Sequence, residues 1–182
     1  MKPFVAATRL LGLIRVIFLK VVSPGQINFD ASLMISPIVR VTVGRGSLLR
    51  FAKSVSVSYG ADICAVNGGE IHIGKNTYMG PRCMLSSHGS ITIGDSCLFG
   101  PDVKIFDNDH EFLRDVGVVR ERYRVARIAV GNNVWCGANV VLLRGVNIGD
   151  GAVIGAGCVV RQDVAPGAVI RSTADSERSR AQ

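Results

Sequence analysis

Three histidines, His72, His88 and His110, are the side chains in this sequence whose ordinary pKa lies close to neutrality, and they offer two chemistries, proton transfer and metal ligation. His110 has the most unusual surroundings. It follows the aliphatic Ile105 by one Phe-Asp-Asn-Asp run and is the fifth residue of the stretch FDNDHEFLRDVGVVRERYRVAR, Phe106 to Arg127, a polar, arginine-rich excursion from an otherwise regular pattern. Breaks of this kind in regular architectures commonly carry function. Asp107 and Asp109 are the acidic neighbours able to orient the His110 ring or to meet a substrate, and His88 stands at a second, smaller break in the pattern. The five cysteines form an odd number without a CxxC pair, and four of them occupy expected core positions, which reads as small buried hydrophobes in a reducing compartment.

The elements that must position these groups follow from a strict period of six. From Val130 the chain divides into VGNNVW, CGANVV, LLRGVN, IGDGAV, IGAGCV and VRQDVA. Val130, Cys136, Leu142, Ile148, Ile154 and Val160 lead the hexads, and Val134, Val140, Val146, Ala152 and Cys158 recur four places later. An earlier block reads IGKNTY and MGPRCM, then, after a small phase shift near His88, IGDSCL and FGPDVK. Its expected inward set is Ile73, Thr77, Met79, Cys83, Ile93, Cys97, Phe99 and Val103. A helix has no period of six and a plain strand alternates with period two. Short strand plus turn, three units per triangular coil, satisfies both patterns. The expected fold is therefore all-β, a left-handed parallel β-helix over 37–170 with the excursion at 106–127. Glycine in the second place of the hexad suits a turn with positive φ or a close backbone approach.

From Val41 to about Ala168 the sequence resembles the hexapeptide-repeat acyltransferases. The resemblance sharpens at His110: in the galactoside and maltose acetyltransferases and related polysaccharide O-acetyltransferases, a histidine follows a core aliphatic residue at this spacing, then a loop, then a strand reading NNVWIG. Here that strand is Asn132-Asn133-Val134-Trp135-Cys136-Gly137. The resemblance implies that His110 is the general base in acyl transfer from acetyl-CoA to a sugar hydroxyl of a surface polysaccharide or its precursor. Such a base supplies about 10²–10⁴ in rate. It further implies that Trp135, Gly137, Ala138, Gly155 and Ala156 line the path of the cofactor's pantetheine arm, with Arg161 and Arg171 near its phosphates. His88 stands where these relatives carry an acidic acceptor contact, and Gly80 where they carry an asparagine. The usual Gly-x-Pro-Ala-Lys ending is absent. A homotrimer with three clefts between subunits is the implied assembly.

Residues 1–36 form a lead-in with an amphipathic helix. Thr8, Arg9, Gly12, Arg15 and Lys20 share one arc, opposite Leu10, Leu13, Ile14, Ile17, Phe18 and Val21. Arg15 and Lys20 interrupt the apolar run and no Ala-x-Ala site follows, so neither a signal peptide nor a span is expected. Two roles remain for residues 3–22: contact with an anionic membrane surface, or an apolar side that caps the β-helix or a neighbouring subunit. Residues 171–182 read as a polar tail. A cytoplasmic site follows from this reading, at the inner face of the cytoplasmic membrane if the helix meets lipid.

The remaining composition narrows the alternatives. Among 182 residues there are 21 glycines and only 6% aromatics, which favours short strands and tight turns. The net charge of +7 points to anionic ligands. Nucleic acid is not among them, since the cations do not interleave with aromatics and no reading module is present. A γ-type carbonic anhydrase shares the prism and needs three zinc-ligating histidines. His72, His88 and His110 lack that family's closely spaced pair, so no metal is expected. A non-catalytic scaffold predicts no acyl-CoA binding, and a serine acetyltransferase needs a helical domain for which the short lead-in leaves no room.

Overall fold

The period of six is realised as short strands joined by tight turns, and the computed structural model describes residues 3–172. The polar tail expected beyond them, 173–182, lies outside the described residues. Three parallel sheets form the sides of a β-helix of about six turns. The first sheet runs from Ile27–Phe29 to Asn147–Ile148, the second from Met34–Ile35 to Val169–Ile170, the third from Arg40–Val43 to Val159–Val160. The left-handed parallel β-helix expected from the hexads is thus the observed class. Coil stacking already begins at Ile27, which pairs with Leu49, ahead of the expected start at position 37.

Every expected inward residue is buried. The leading positions from Ile73 to Val160 and the fifth-place positions from Thr77 to Cys158 all lie at or below 6% exposure in one continuous core. Thr77 is kept there without an orphaned hydroxyl, because it donates to Gly94 O and accepts from Cys97 N–H.

The structure decides which demand the second-place glycines meet. Gly74, Gly80, Gly94, Gly100, Gly131 and Gly137 have ordinary φ; a Cβ on Gly137 would sit 2.7 Å from Ala156 N and one on Gly100 2.8 Å from Ala138 N. Close stacking of the next coil is the cause. Positive φ falls instead on the fourth place, at Asn76, Arg82, Ser96, Asp102, Asn133 and Asn139, then Gly145, Gly151 and Gly157. Asn and Gly tolerate that backbone best.

Helix α1, Pro3–Val22, lies against the first strands of the first and second sheets and covers the open base of the prism. It packs through Gly12, Val16 and Leu19, whose helical spacing puts them on one face. Gly12 is required there: a Cβ would stand 1.9 Å from the Ile35 carbonyl oxygen. The cap is therefore made by the small-residue side, and the expectation that the broad apolar side caps the β-helix is not met. Leu10, Leu11, Ile14, Ile17, Phe18 and Val21 are exposed. Among the described residues no helix is long and apolar enough to cross a membrane.

On the second sheet, Tyr78, Leu98, Trp135, Val153 and Val169 stand in register, one above the other, with side chains turned away from the core. Four of the five are exposed, forming an apolar ladder uncovered in the single chain.

Candidate active site

The corner between the third and first sheets changes length from coil to coil. Along the third sheet Ile63 pairs with Leu85, Leu85 with Ile105, Ile105 with Leu142, and Leu142 with Val160. The coil thus tightens after Leu85, swells at the excursion after Ile105 and is tightest beyond Leu142. His88 and His110 sit where the first two of those changes occur. The excursion is a β-hairpin, Asn108–Leu113 against Gly117–Val125, with an irregularity after His110.

Tyr123 pairs with His110 across the hairpin, their ring centroids 4.5 Å apart. The other neighbour of Tyr123 is His88, at 4.1 Å. One phenol ring thus touches both imidazoles. The Nδ2 amide of Asn67 is 3.2 Å from Nδ1 of His88. Burial pushes the His88 pKa below its ordinary value; Asp107 works against this and His110 adds to it. His110 is exposed on the hairpin.

Asp107 is closed off from solvent. Its side chain is fully buried, and its carboxylate accepts from Ser87 Oγ (2.7 Å), His88 N–H (2.9 Å), Gly89 N–H (2.9 Å) and Asn108 Nδ2 (3.0 Å). The expectation of a substrate contact gives way to a positioning role: Asp107 holds the turn that presents His88. Its own carbonyl accepts from Ala126 N–H, which ties the far end of the hairpin back to the prism. Asp109 is exposed and bonded to Arg144 Nε at 2.6 Å. Both carboxylates are therefore engaged away from His110, and the ring that steadies the imidazole is Tyr123. Tyr123 and Asn67 are not legible in the sequence, because nothing local to either marks it as a neighbour of a histidine far along the chain.

The expected cofactor residues separate into groups. Gly137, Ala138, Gly155 and Ala156 line the corner between the second and third sheets, and Arg171 follows the last second-sheet strand there, its Cα 3.5 Å from a Cβ placed on Gly155. Trp135 projects from the second sheet and is 52% exposed. Arg161 follows Val160 on the opposite edge of the third sheet, the edge that carries His88 and His110. Within one chain the small-residue corner and the histidine corner are separated by the width of the third sheet. His72, between Arg50 and Thr92 on the first sheet, is remote from both. Among the described residues, no group of three His, Cys, Asp or Glu side chains is placed to hold a metal ion.

Cysteine chemistry finds no support in the geometry. Burial pushes the Cys136 thiol up to about 12 and the Cys83 thiol to about 11, so neither supplies a thiolate near neutrality.

The bacterial transferase hexapeptide family (six repeats) matches residues 128–162. That stretch of the chain carries the hexapeptide repeat. Over 102 residues this hexapeptide-repeat protein is 39% identical to a galactoside O-acetyltransferase of Escherichia coli K12, a match covering 56% of this chain and 50% of that protein. Over 97 residues it is 34% identical to a galactoside O-acetyltransferase of Lactococcus lactis, covering 53% and 46%. The chain spans about half the length of these curated relatives. A solved hexapeptide-repeat containing acetyltransferase from Vibrio cholerae superposes with a TM-score of 0.55 at 28% identity, over 68% of this chain and 67% of that one.

Proposed function

We propose that the protein transfers an acetyl group from acetyl-CoA to a hydroxyl of a saccharide, with His110 as the general base. The observation that carries this reading is the exposed His110 imidazole, held against Tyr123 beside His88 at the large break in the coil pattern. Similarity to galactoside O-acetyltransferases over the hexad region supports the sugar hydroxyl as acceptor.

In the step itself, the acceptor oxygen bonds to the thioester carbonyl carbon while its proton passes to His110. Collapse of the tetrahedral adduct breaks the C–S bond, and the sulfur leaves as the CoA thiol with that proton. His110 ends neutral and ready for a second turnover. Gly137, Ala138, Gly155 and Ala156 are the proposed path for the pantetheine arm, Trp135 its aromatic neighbour, and Arg161 and Arg171 the proposed partners of the nucleotide phosphates. His88 and Asp109 are proposed acceptor contacts.

The assembly follows from how these groups are distributed. The histidine corner and the small-residue corner lie on opposite edges of the third sheet, and the apolar ladder of Tyr78, Leu98, Trp135, Val153 and Val169 is uncovered. A homotrimer that buries the ladder and sets His110 of one copy against the small-residue corner of the next answers both features. Surface polysaccharide or its precursor is the proposed acceptor, and the cytoplasm, where the five cysteine thiols stay reduced, the proposed compartment. Thiol release from acetyl-CoA against a panel of saccharides and nucleotide-sugars tests the reading; acceptor-dependent release supports it, and none with any member contradicts it.

A further inference from the structure

Helix α1 has two sides with different fates. Gly12, Val16 and Leu19 face the prism, and Gly12 brings the helix so close to Ile35 that no side chain fits between. At about 100° per residue, Leu10, Ile14, Ile17, Phe18 and Val21 gather on the diametrically opposite arc. In the structure they are 59%, 52%, 46%, 62% and 70% exposed. An apolar arc of this breadth turned away from the core marks an interaction site.

The charge of the segment says what covers it. The first acidic residue of the chain is Asp30, and ahead of it stand Lys2, Arg9, Arg15 and Lys20. Lys20 lies on the flank between the packed and exposed sides, its Nζ 5.3 Å from the centre of the Phe29 ring. An apolar face on a helix that carries cations and no carboxylate is the composition of a segment lying in the plane of an anionic membrane interface. We infer that the outward face of α1 seats the prism, base first, on an anionic phospholipid bilayer.

The orientation follows from the fold. The helix covers the base, so its apolar face points along the solenoid away from the coils, and the coils rise from the membrane. His88 and His110 belong to the third and fourth coils. At a strand spacing of about 4.8 Å they stand roughly 10–15 Å above the first coil. Joined to the acyltransfer proposed for His110, on which this extension rests, that height suits a glycan anchored in the same bilayer as acceptor. A three-fold assembly would place three such helices at one level, and simultaneous contact multiplies their binding.

Sedimentation of the full chain with phosphatidylcholine vesicles, with and without phosphatidylglycerol, tests the docking. Expected is binding to the anionic vesicles at low salt, weakened at about 0.5 M salt where charges are screened. I14D/F18D, at two exposed positions, should lower it at least tenfold, and L10D/I17D likewise, with the circular dichroism melt unchanged. No binding by the unaltered chain, or equal binding by both double variants, overturns the inference. So does a fall in sedimenting mass of the variants in lipid-free solution without change in vesicle binding, which would assign the face to a second copy. Turnover on a soluble saccharide, measured in parallel, bears on the His110 reading alone: docking without turnover keeps the inference, and turnover without docking overturns it while leaving the enzyme reading intact.

Discussion

Tyr123 bridges His88 and His110, its ring centroid 4.1 Å from one imidazole and 4.5 Å from the other. Such tilted ring contacts contribute about 0.5–1.5 kcal/mol each. The ring, and not the hydroxyl, makes the contact. Tyr123→Phe should therefore keep turnover close to that of the unaltered protein. Tyr123→Ala should lower kcat about three- to tenfold, the rate equivalent of losing one such contact at the base, with the acetyl-CoA KM little changed. Steady-state kinetics of the two variants check this, and a Tyr123→Phe enzyme as slow as Tyr123→Ala would shift the role to the hydroxyl.

Asp107 gives the largest expected stability effect among the site residues. Its buried carboxylate receives four donors, two of them the backbone N–H groups of His88 and Gly89. Each buried donor left unpaired costs about 1–3 kcal/mol. Asp107→Ala should lower unfolding stability by about 3 kcal/mol or more, and Asp107→Asn by less, since one amide oxygen remains to accept. Urea unfolding followed by circular dichroism measures both.

The His88 environment predicts a pH dependence. Burial holds its folded pKa below the ordinary value, with Asp107 opposing and His110 reinforcing the shift, while Tyr123 and Asn67 face it without charge. The unfolded chain then takes up the proton first as pH falls. Folding stability should therefore decline below about pH 6.5, and His88→Gln should flatten that decline. Urea midpoints across this window provide the check; an unchanged slope in the variant would place the titrating group elsewhere.

Gly12 offers a test of the cap. Because a Cβ would overlap the Ile35 carbonyl, Gly12→Val should lift α1 from the base and expose Val16, Leu19 and Ile35. Amide exchange in the first coil should speed up, with exchange in the fourth and fifth coils unchanged.

Much of this architecture is legible in the sequence because the chain from Val130 to Val160 runs in whole hexads, three to a coil, leaving runs such as VGNNVW and CGANVV unbroken. The early coils are harder to read. They carry extra residues at the corner between the third and first sheets, so no single six-residue frame joins Phe51, Val57 and Ile63 to Ile73, although all four are buried. His110 is legible through its spacing from Ile105 and the break that follows. The roles around it are not: Asp107 and Asp109 are close to His110 in sequence, yet their carboxylates are bonded to the His88 turn and to Arg144. Adjacent strand residues point to opposite sides, so proximity in sequence says little about side-chain contact. For a related reason the apolar side of α1, one candidate for the cap in the sequence, is not the side that packs on the prism. Breadth of the apolar arc favours that side for the cap, whereas closeness of approach, which only Gly12 allows, selects the other.

The most direct test of the account compares His110→Ala with Cys136→Ser by thiol release from acetyl-CoA in the presence of an accepted saccharide, with folding verified by circular dichroism. His110→Ala should reduce the rate by about two to four powers of ten with acetyl-CoA affinity little changed, the usual contribution of a positioned base. Cys136→Ser should remain near the unaltered rate, because its thiol is buried and pushed up to about 12. A His110→Ala protein that turns over the acceptor at close to the unaltered rate would contradict the account.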